Sequence, residues 1–286
     1  ILPKSFIIYM VVNHIRPPRV LHIYSKICII IHNNKKRSMN KMTVNYNEIS
    51  KNYDSVRNED KSVIELFVEE LKITENTRIL DFGCGTGNYV NVLQRLTHAQ
   101  VYGVEPSDGM REKAIAKNPN ITFVKGNHEN IPFEDNYFDF VYMTDVIHHI
   151  PDIAMMFNEI RRVLKRGGSL CIVTESHEQI DNRFYVKYFP STAIVDKRRY
   201  PDIDEIISKA TEQSFEHIKN VVKGEGTAVS VTSQFVELVR NKGYSMFHLI
   251  PDNEYNEGLK QLETDVLSGN LICRHSGETL VWFRKK

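Results

Sequence analysis

The chain has 286 residues, 37 basic and 36 acidic, for a formal charge of +1. That length suits one α/β domain plus a lid or insertion and is short for two large independent domains. The first 42 residues carry eight Lys or Arg and no acid, which leaves 29 basic against 36 acidic side chains, a net −7, on the remainder. An acidic body argues against strong non-specific nucleic-acid binding. Four cysteines without a C-x-x-C pair argue against a zinc site or a disulfide framework and suit a reducing, cytoplasmic setting.

Residues 1–38 do not read as part of the fold. Their apolar runs at 6–12 and 27–31 are too short to span a membrane and are separated by His14, Arg16, Arg19 and Lys26. Met39 or Met42 is the expected start, and residues 1–42 are expected to be an extension, non-native or disordered. Between Glu59 and Leu71, Val63, Ile64, Phe67 and Val68 recur at helical spacing. Strands are predicted at 78–82, 100–104, 121–124, 138–143 and 170–173. Between them lie helices marked by Tyr89, Val90, Leu93 and Leu96, by the cap Ser107, and by Pro151, the last closed by Lys165-Arg166-Gly167-Gly168. This alternation predicts an α/β, doubly wound, mostly parallel sheet. Beyond Glu175 it lapses. The aromatic stretch 184–200 reads as a loop, Pro201 starts a helix, 215–222 reads as a strand, 229–241 and 252–267 as helices, and 278–283 as a final strand.

The most informative stretch is Ile79-Leu80-Asp81-Phe82-Gly83-Cys84-Gly85-Thr86-Gly87. An apolar strand ends in a carboxylate and enters three alternating glycines that open a helix, so a nucleotide-like ligand is expected across the turn. The dinucleotide fingerprint needs its third glycine at 88, where Asn88 stands. A pyrophosphate beside an ionised Asp81 would be repelled by roughly 4 kcal/mol for unit charges about 4 Å apart at a dielectric near 20. A cationic ligand such as S-adenosyl-L-methionine suits that carboxylate better.

With Asp81 to Gly87 in view, the chain resembles the class I S-adenosylmethionine-dependent methyltransferases of small-molecule type, methyltransferase type 11 and the ubiquinone/menaquinone methyltransferases among them. Val101-Tyr102-Gly103-Val104-Glu105-Pro106-Ser107 is similar to the family's second motif. Glu105 is there expected to take the ribose hydroxyls, with Pro106 beside it and Met110 as an apolar wall for adenine. Gly126-Asn127-His128-Glu129-Asn130-Ile131-Pro132-Phe133 resembles the stretch after strand three. Asn127 stands where the family places an Asp that accepts from the adenine amino group, and its amide oxygen can still accept; His128 flanks the adenine or faces solvent. Thr144-Asp145-Val146-Ile147-His148-His149-Ile150 is similar to the fourth motif, which puts Asp145, His148 and His149 near the chemistry, either histidine being a candidate base. Tyr53-Asp54-x-x-Arg57 resembles an element that precedes the core, its tyrosine, or Tyr46, closing over the methionine end.

The resemblance implies a seven-stranded Rossmann-like sheet, with the final strand antiparallel between the fifth and sixth. It gives a cofactor-binding core over 43–176 and a substrate lid, plus the last two strands, over 177–286. The expected cofactor set is Tyr53, Asp81, Gly83, Cys84, Gly85, Gly87, Glu105, Pro106, Met110, Asn127, His128 and Asp145. Cys84 is also read as simply a small side chain between two glycines. The implied reaction is in-line methyl transfer to a small molecule, leaving S-adenosyl-L-homocysteine, without metal or covalent residue. Two alternatives are a tRNA wobble-uridine methyltransferase, for which Ile147-His148-His149-Ile150 and the basic Lys197-Arg198-Arg199 speak, and a non-catalytic S-adenosylmethionine binder. A monomer or homodimer is expected. Tyr185, Tyr188, Phe189, Tyr200, Tyr244 and Phe247 suit an apolar or aromatic acceptor, or pack on one another.

Overall fold

The computed structural model describes residues 61–269 and 271–286. The expectations for residues 1–42 and for Tyr46, Tyr53, Asp54 and Arg57 lie outside the described residues. Helix α1 (Lys61–Glu70) precedes β1 (Arg78–Phe82), α2 (Asn88–Thr97), β2 (Gln100–Val104), α3 (Asp108–Lys117) and β3 (Thr122–Val124). After a loop come β4 (Phe138–Thr144), α4 (Ile153–Val163) and β5 (Leu164–Thr174). Ser107 caps α3 by accepting from the Met110 N–H, and Asp152 caps α4 by accepting from Met155, one residue beyond the expected Pro151. Helix α4 also ends sooner than its glycines suggest. Leu164 already pairs with Phe138, and Ser169 pairs with Phe140, so Lys165 to Gly168 bulge within β5.

The second half holds α5 (His177–Asp181), α6 (Pro190–Arg199), α7 (Ile203–Glu212), β6 (Phe215–Lys223), β7 (Ala228–Ser230), α8 (Ser233–Arg240), α9 (Asp252–Leu267), β8 (Ile272–Arg274) and β9 (Glu278–Lys285). Stretch 184–200 is not a loop. It contains a 3-10 turn at Phe184–Lys187 and the whole of α6. Buried Thr192 and Asp196 share the inner face of α6 with Ala193 and Val195, so no apolar stripe marks it in the sequence. Val229 belongs to β7, which forms a small antiparallel sheet with β8 that the sequence reading lacks, and the helix starts only at Ser233.

The main sheet runs β3-β2-β1-β4-β5-β9-β6. Strands β1 to β5 are parallel, and β9 is antiparallel to both β5 and β6, as the resemblance implies. Alternate residues of β4 serve opposite faces. Phe138, Val141 and Met143 join Leu80, Met156, Phe157 and Ile160 on one side. Phe140 and Tyr142 join Phe67, Ile79, Val90 and Trp282 on the other. Chain direction across the sheet reverses between β1 and β4, and that switch point opens a crevice beyond their carboxyl ends. No described helix is long and apolar enough to cross a membrane.

Candidate functional site

A cavity of about 340 Å³ occupies this crevice. Of the expected residues it gathers Gly83, Gly85, Glu105, Pro106, Met110, Asn127, His128, Asp145, His148 and His149 on its wall. Gly83 has φ 79°, and a Cβ there would meet Val146 Cγ2 at 2.6 Å, so the first glycine lets the β4 loop close over the β1 turn. At Gly85, φ 54°, a Cβ would meet open space. Gly87 is not on the wall; it caps α2 at φ 77°, and a Cβ there would point to Phe123 and Ala114.

Glu105, 7% exposed, braces the turn: its two oxygens accept from the Gly85 N–H at 3.0 Å and the Ser107 N–H at 2.8 Å. Burial pushes its carboxyl up, and these two N–H groups pull the other way.

Asp81 departs from the sequence reading. It does not stand at the mouth of the turn but is 2% exposed and off the cavity wall. Asp81 and Tyr142 are register partners on β1 and β4, so the Tyr142 hydroxyl donates to Asp81 Oδ2 at 3.0 Å. Oδ1 has no hydrogen-bond partner among the described residues. Burial raises this carboxyl to about 8, against the Tyr142 hydrogen bond and with help from Glu105. Cys84 likewise leaves the cavity. Its Sγ lies where a Cβ on Gly103 would come, inside the core, and burial pushes the thiol well up, so it is no nucleophile.

The Asn127 amide oxygen is already engaged, accepting from the Glu129 and Asn130 N–H groups at 2.8 and 3.1 Å in an Asx turn. Asn127 thus closes its own loop while standing on the cavity wall. Asp145 is exposed in the left-handed region, φ 56°, with its N–H on the Val173 carbonyl at 3.2 Å. Such a backbone for a non-glycine residue is a local strain found at functional turns.

The two histidines differ. His148 stacks on Tyr200, ring centroids 4.0 Å apart and planes within 8°, whereas His149 is exposed beside it. His148 also borders a second cavity of about 320 Å³, whose wall shares Asp145, His148 and Ser245 with the first. Tyr185, Tyr200 and Tyr244 line this second space. Tyr188, Phe189 and Phe247 do not; Tyr188 donates to Asp265 at 2.6 Å, and Phe189 packs on Phe247 at 5.1 Å.

The sequence reading missed the centre of the second cavity, buried Arg183. It binds both oxygens of Glu175 and, at 2.6 Å, Asp196, and Asp196 is also bound by Arg199. Arg199 further donates to Ser245 Oγ at 2.9 Å. Lys197 pairs with Asp181, so two members of the basic cluster 197–199 are held in ion pairs. Gly243 and Ser245 were missed as well. Their signal was the end of α8, where Gly243 N–H reaches the Leu238 carbonyl in a Schellman turn, but Lys242 rather than the glycine takes the left-handed position.

A doubly wound sheet with a reversed last strand and a crevice at its switch point defines the class I methyltransferase fold. Residues 80–172, about a third of the chain, match a family model described as a methyltransferase domain. Demethylmenaquinone methyltransferase of Staphylococcus aureus is 29% identical over 156 residues, covering 50% of this chain and 65% of the relative. The chain thus spans a little under two thirds of that relative's length. A protein of Anabaena variabilis described as a methyltransferase of an antibiotic biosynthesis pathway superposes with TM-score 0.65 at 24% identity, covering 80% of this chain and 98% of that one. The [4+2]-cyclase SpnF superposes with TM-score 0.53 at 19% identity, covering 78% of this chain and 80% of that one.

Proposed function

We propose that the chain is an S-adenosylmethionine-dependent methyltransferase acting on a small molecule. One observation carries the reading: at the switch point stand two left-handed glycines, Gly83 held by the Val104 carbonyl and Gly85 braced by Glu105, following a buried carboxyl, Asp81, whose Oδ1 has no partner among the described residues. These residues fit the cofactor. Glu105 would hold the ribose with its remaining lone pairs, Gly83 and Gly85 would admit the ligand to the backbone, and Asp81, whose raised carboxyl a nearby bound cation would pull back toward ionisation, would answer its positive charge. Met110 and His128 would flank the base. Bound there, the cofactor would supply an electrophilic methyl group on sulfonium: an acceptor lone pair would bond to the methyl carbon as the carbon–sulfur bond breaks, its electron pair staying on sulfur, and the acceptor would give up a proton. The protein would align the two ligands in adjoining cavities, and His148, which lines both, would take that proton.

Calorimetry with the purified full chain tests the cofactor: S-adenosylmethionine and S-adenosylhomocysteine should bind and NAD should not, and binding of NAD alone would overturn the reading. Because a protein named a cyclase shares the fold, turnover is tested separately. Incubating a cell extract with methyl-labelled S-adenosylmethionine should yield a labelled small molecule, and label recovered only in tRNA would point to the RNA reading.

A further inference from the structure

We infer that Tyr142 is a positioning residue for the cofactor: its hydroxyl holds the Asp81 carboxyl and supplies the donor that lets this buried group meet a positively charged ligand as an anion. This rests on the proposed function and adds to it a residue on the wall of neither cavity. The placement begins with strand pairing, which sets Tyr142 of β4 opposite Asp81 of β1. The ring is fixed by Phe67 at 5.0 Å and Phe140 at 5.7 Å, and the side chain is fully buried. Its hydroxyl therefore has no solvent to turn to and reaches Asp81 Oδ2 at 3.0 Å. Packing alone asks for no hydroxyl here. Phe140, two residues earlier on the same face of β4, and Phe67 fill the same cluster without one.

A carboxyl at this depth ionises only where donors or cations offset the loss of water. Glu105, the charged neighbour acting on Asp81, works against ionisation, and Cys84 and Tyr89, the other titratable groups around the pair, carry no positive charge in either protonation state. Tyr142 is the one side-chain donor to Asp81 among the described residues, and its hydrogen bond pulls the carboxyl back toward ionisation. Burial and Asp81 push the Tyr142 hydroxyl itself well up, so it stays a neutral donor. With Oδ2 tied to this ring, Oδ1, which has no partner among the described residues, is the oxygen left to answer a cation. A phenylalanine at 142 would keep the packing and leave the carboxyl without a donor, neutral beside its ligand.

The test is a double-mutant cycle on S-adenosylmethionine affinity, measured by calorimetry at pH 7 with the full chain as wild type, Tyr142→Phe, Asp81→Asn and the double variant. Tyr142→Phe should bind about tenfold more weakly than wild type, the size expected for one hydrogen bond to a charged group. The same change made in Asp81→Asn should cost less than about twofold, because the hydroxyl acts through the carboxyl. Repeating the titrations in phosphate and in Tris, whose ionisation enthalpies differ, should show wild type releasing up to about one proton per ligand bound and Asp81→Asn releasing none. Affinity of Tyr142→Phe equal to wild type, an equal loss in the Asp81→Asn background, or no proton release by wild type would each overturn the inference. Failure of wild type to bind S-adenosylmethionine at all would instead sink the proposed function beneath it.

Discussion

The first cavity is built mainly from backbone at strand ends, the second mainly from side chains brought together across a hundred residues. In the first, the wall follows from local rules. Gly83 must be glycine because Val146 lies against it, and Glu105 must be an acceptor because two N–H groups converge on it. In the second, Glu175, Arg183 and Asp196 have no local reason to be acidic or basic, and each makes sense only once the others are folded around it. Short motifs therefore encode the first cavity, whereas tertiary packing encodes the second.

Replacing Arg183 with alanine should separate the two regions with the largest effect. It strands Glu175 and leaves Asp196 to Arg199 alone, and should cost roughly 3–5 kcal/mol in urea denaturation. At temperatures where the variant stays folded, S-adenosylmethionine affinity should change less than threefold, and a larger loss would mean that the cavities are not separable. Within the first region, Gly83→Ala forces a Cβ into Val146 in a left-handed backbone and should cost about 3 kcal/mol and abolish measurable cofactor binding. Gly85→Ala, facing open space, should cost only about 1–2 kcal/mol, from the backbone alone. Equal effects at the two glycines would remove the role given to Val146.

A pH-dependent effect concerns Asp81, whose carboxyl burial raises to about 8 in the folded chain from near 4 when unfolded. The native state then holds the extra proton between those values, so the stability this group contributes is complete below about pH 4 and is lost as pH rises through about 8. Urea midpoints measured from pH 5 to 9 should fall with pH more steeply in wild type than in Asp81→Asn. Affinity for a cationic ligand should rise over the same interval in wild type alone.

Much of the parallel half was legible because each signal is local. The apolar run before the glycine turn marked 78–82, the short β-branched run ending at Glu105 marked 100–104, and Ser107 announced α3. The burial of Asp81 was not legible, since depth is set by the pairing of β1 with β4, 61 residues away. The commitment of Asn127 to its own loop was half legible, because an Asn followed by polar residues is a known turn former, but the resemblance to an acidic position drew attention to the ligand instead. Helix α6 stayed hidden because its inner face is polar, and it is polar because it carries Asp196 to Arg183.

Ser245 belongs to the walls of both cavities, and its hydroxyl is held by the same Arg199 that grips Asp196. An occupant on one side that shifts this residue alters the space offered on the other. By thermodynamic reciprocity, whatever factor the first guest imposes on the second is returned in equal measure. Measured with both guests present, the two dissociation constants would then describe one shared partition rather than two independent rooms.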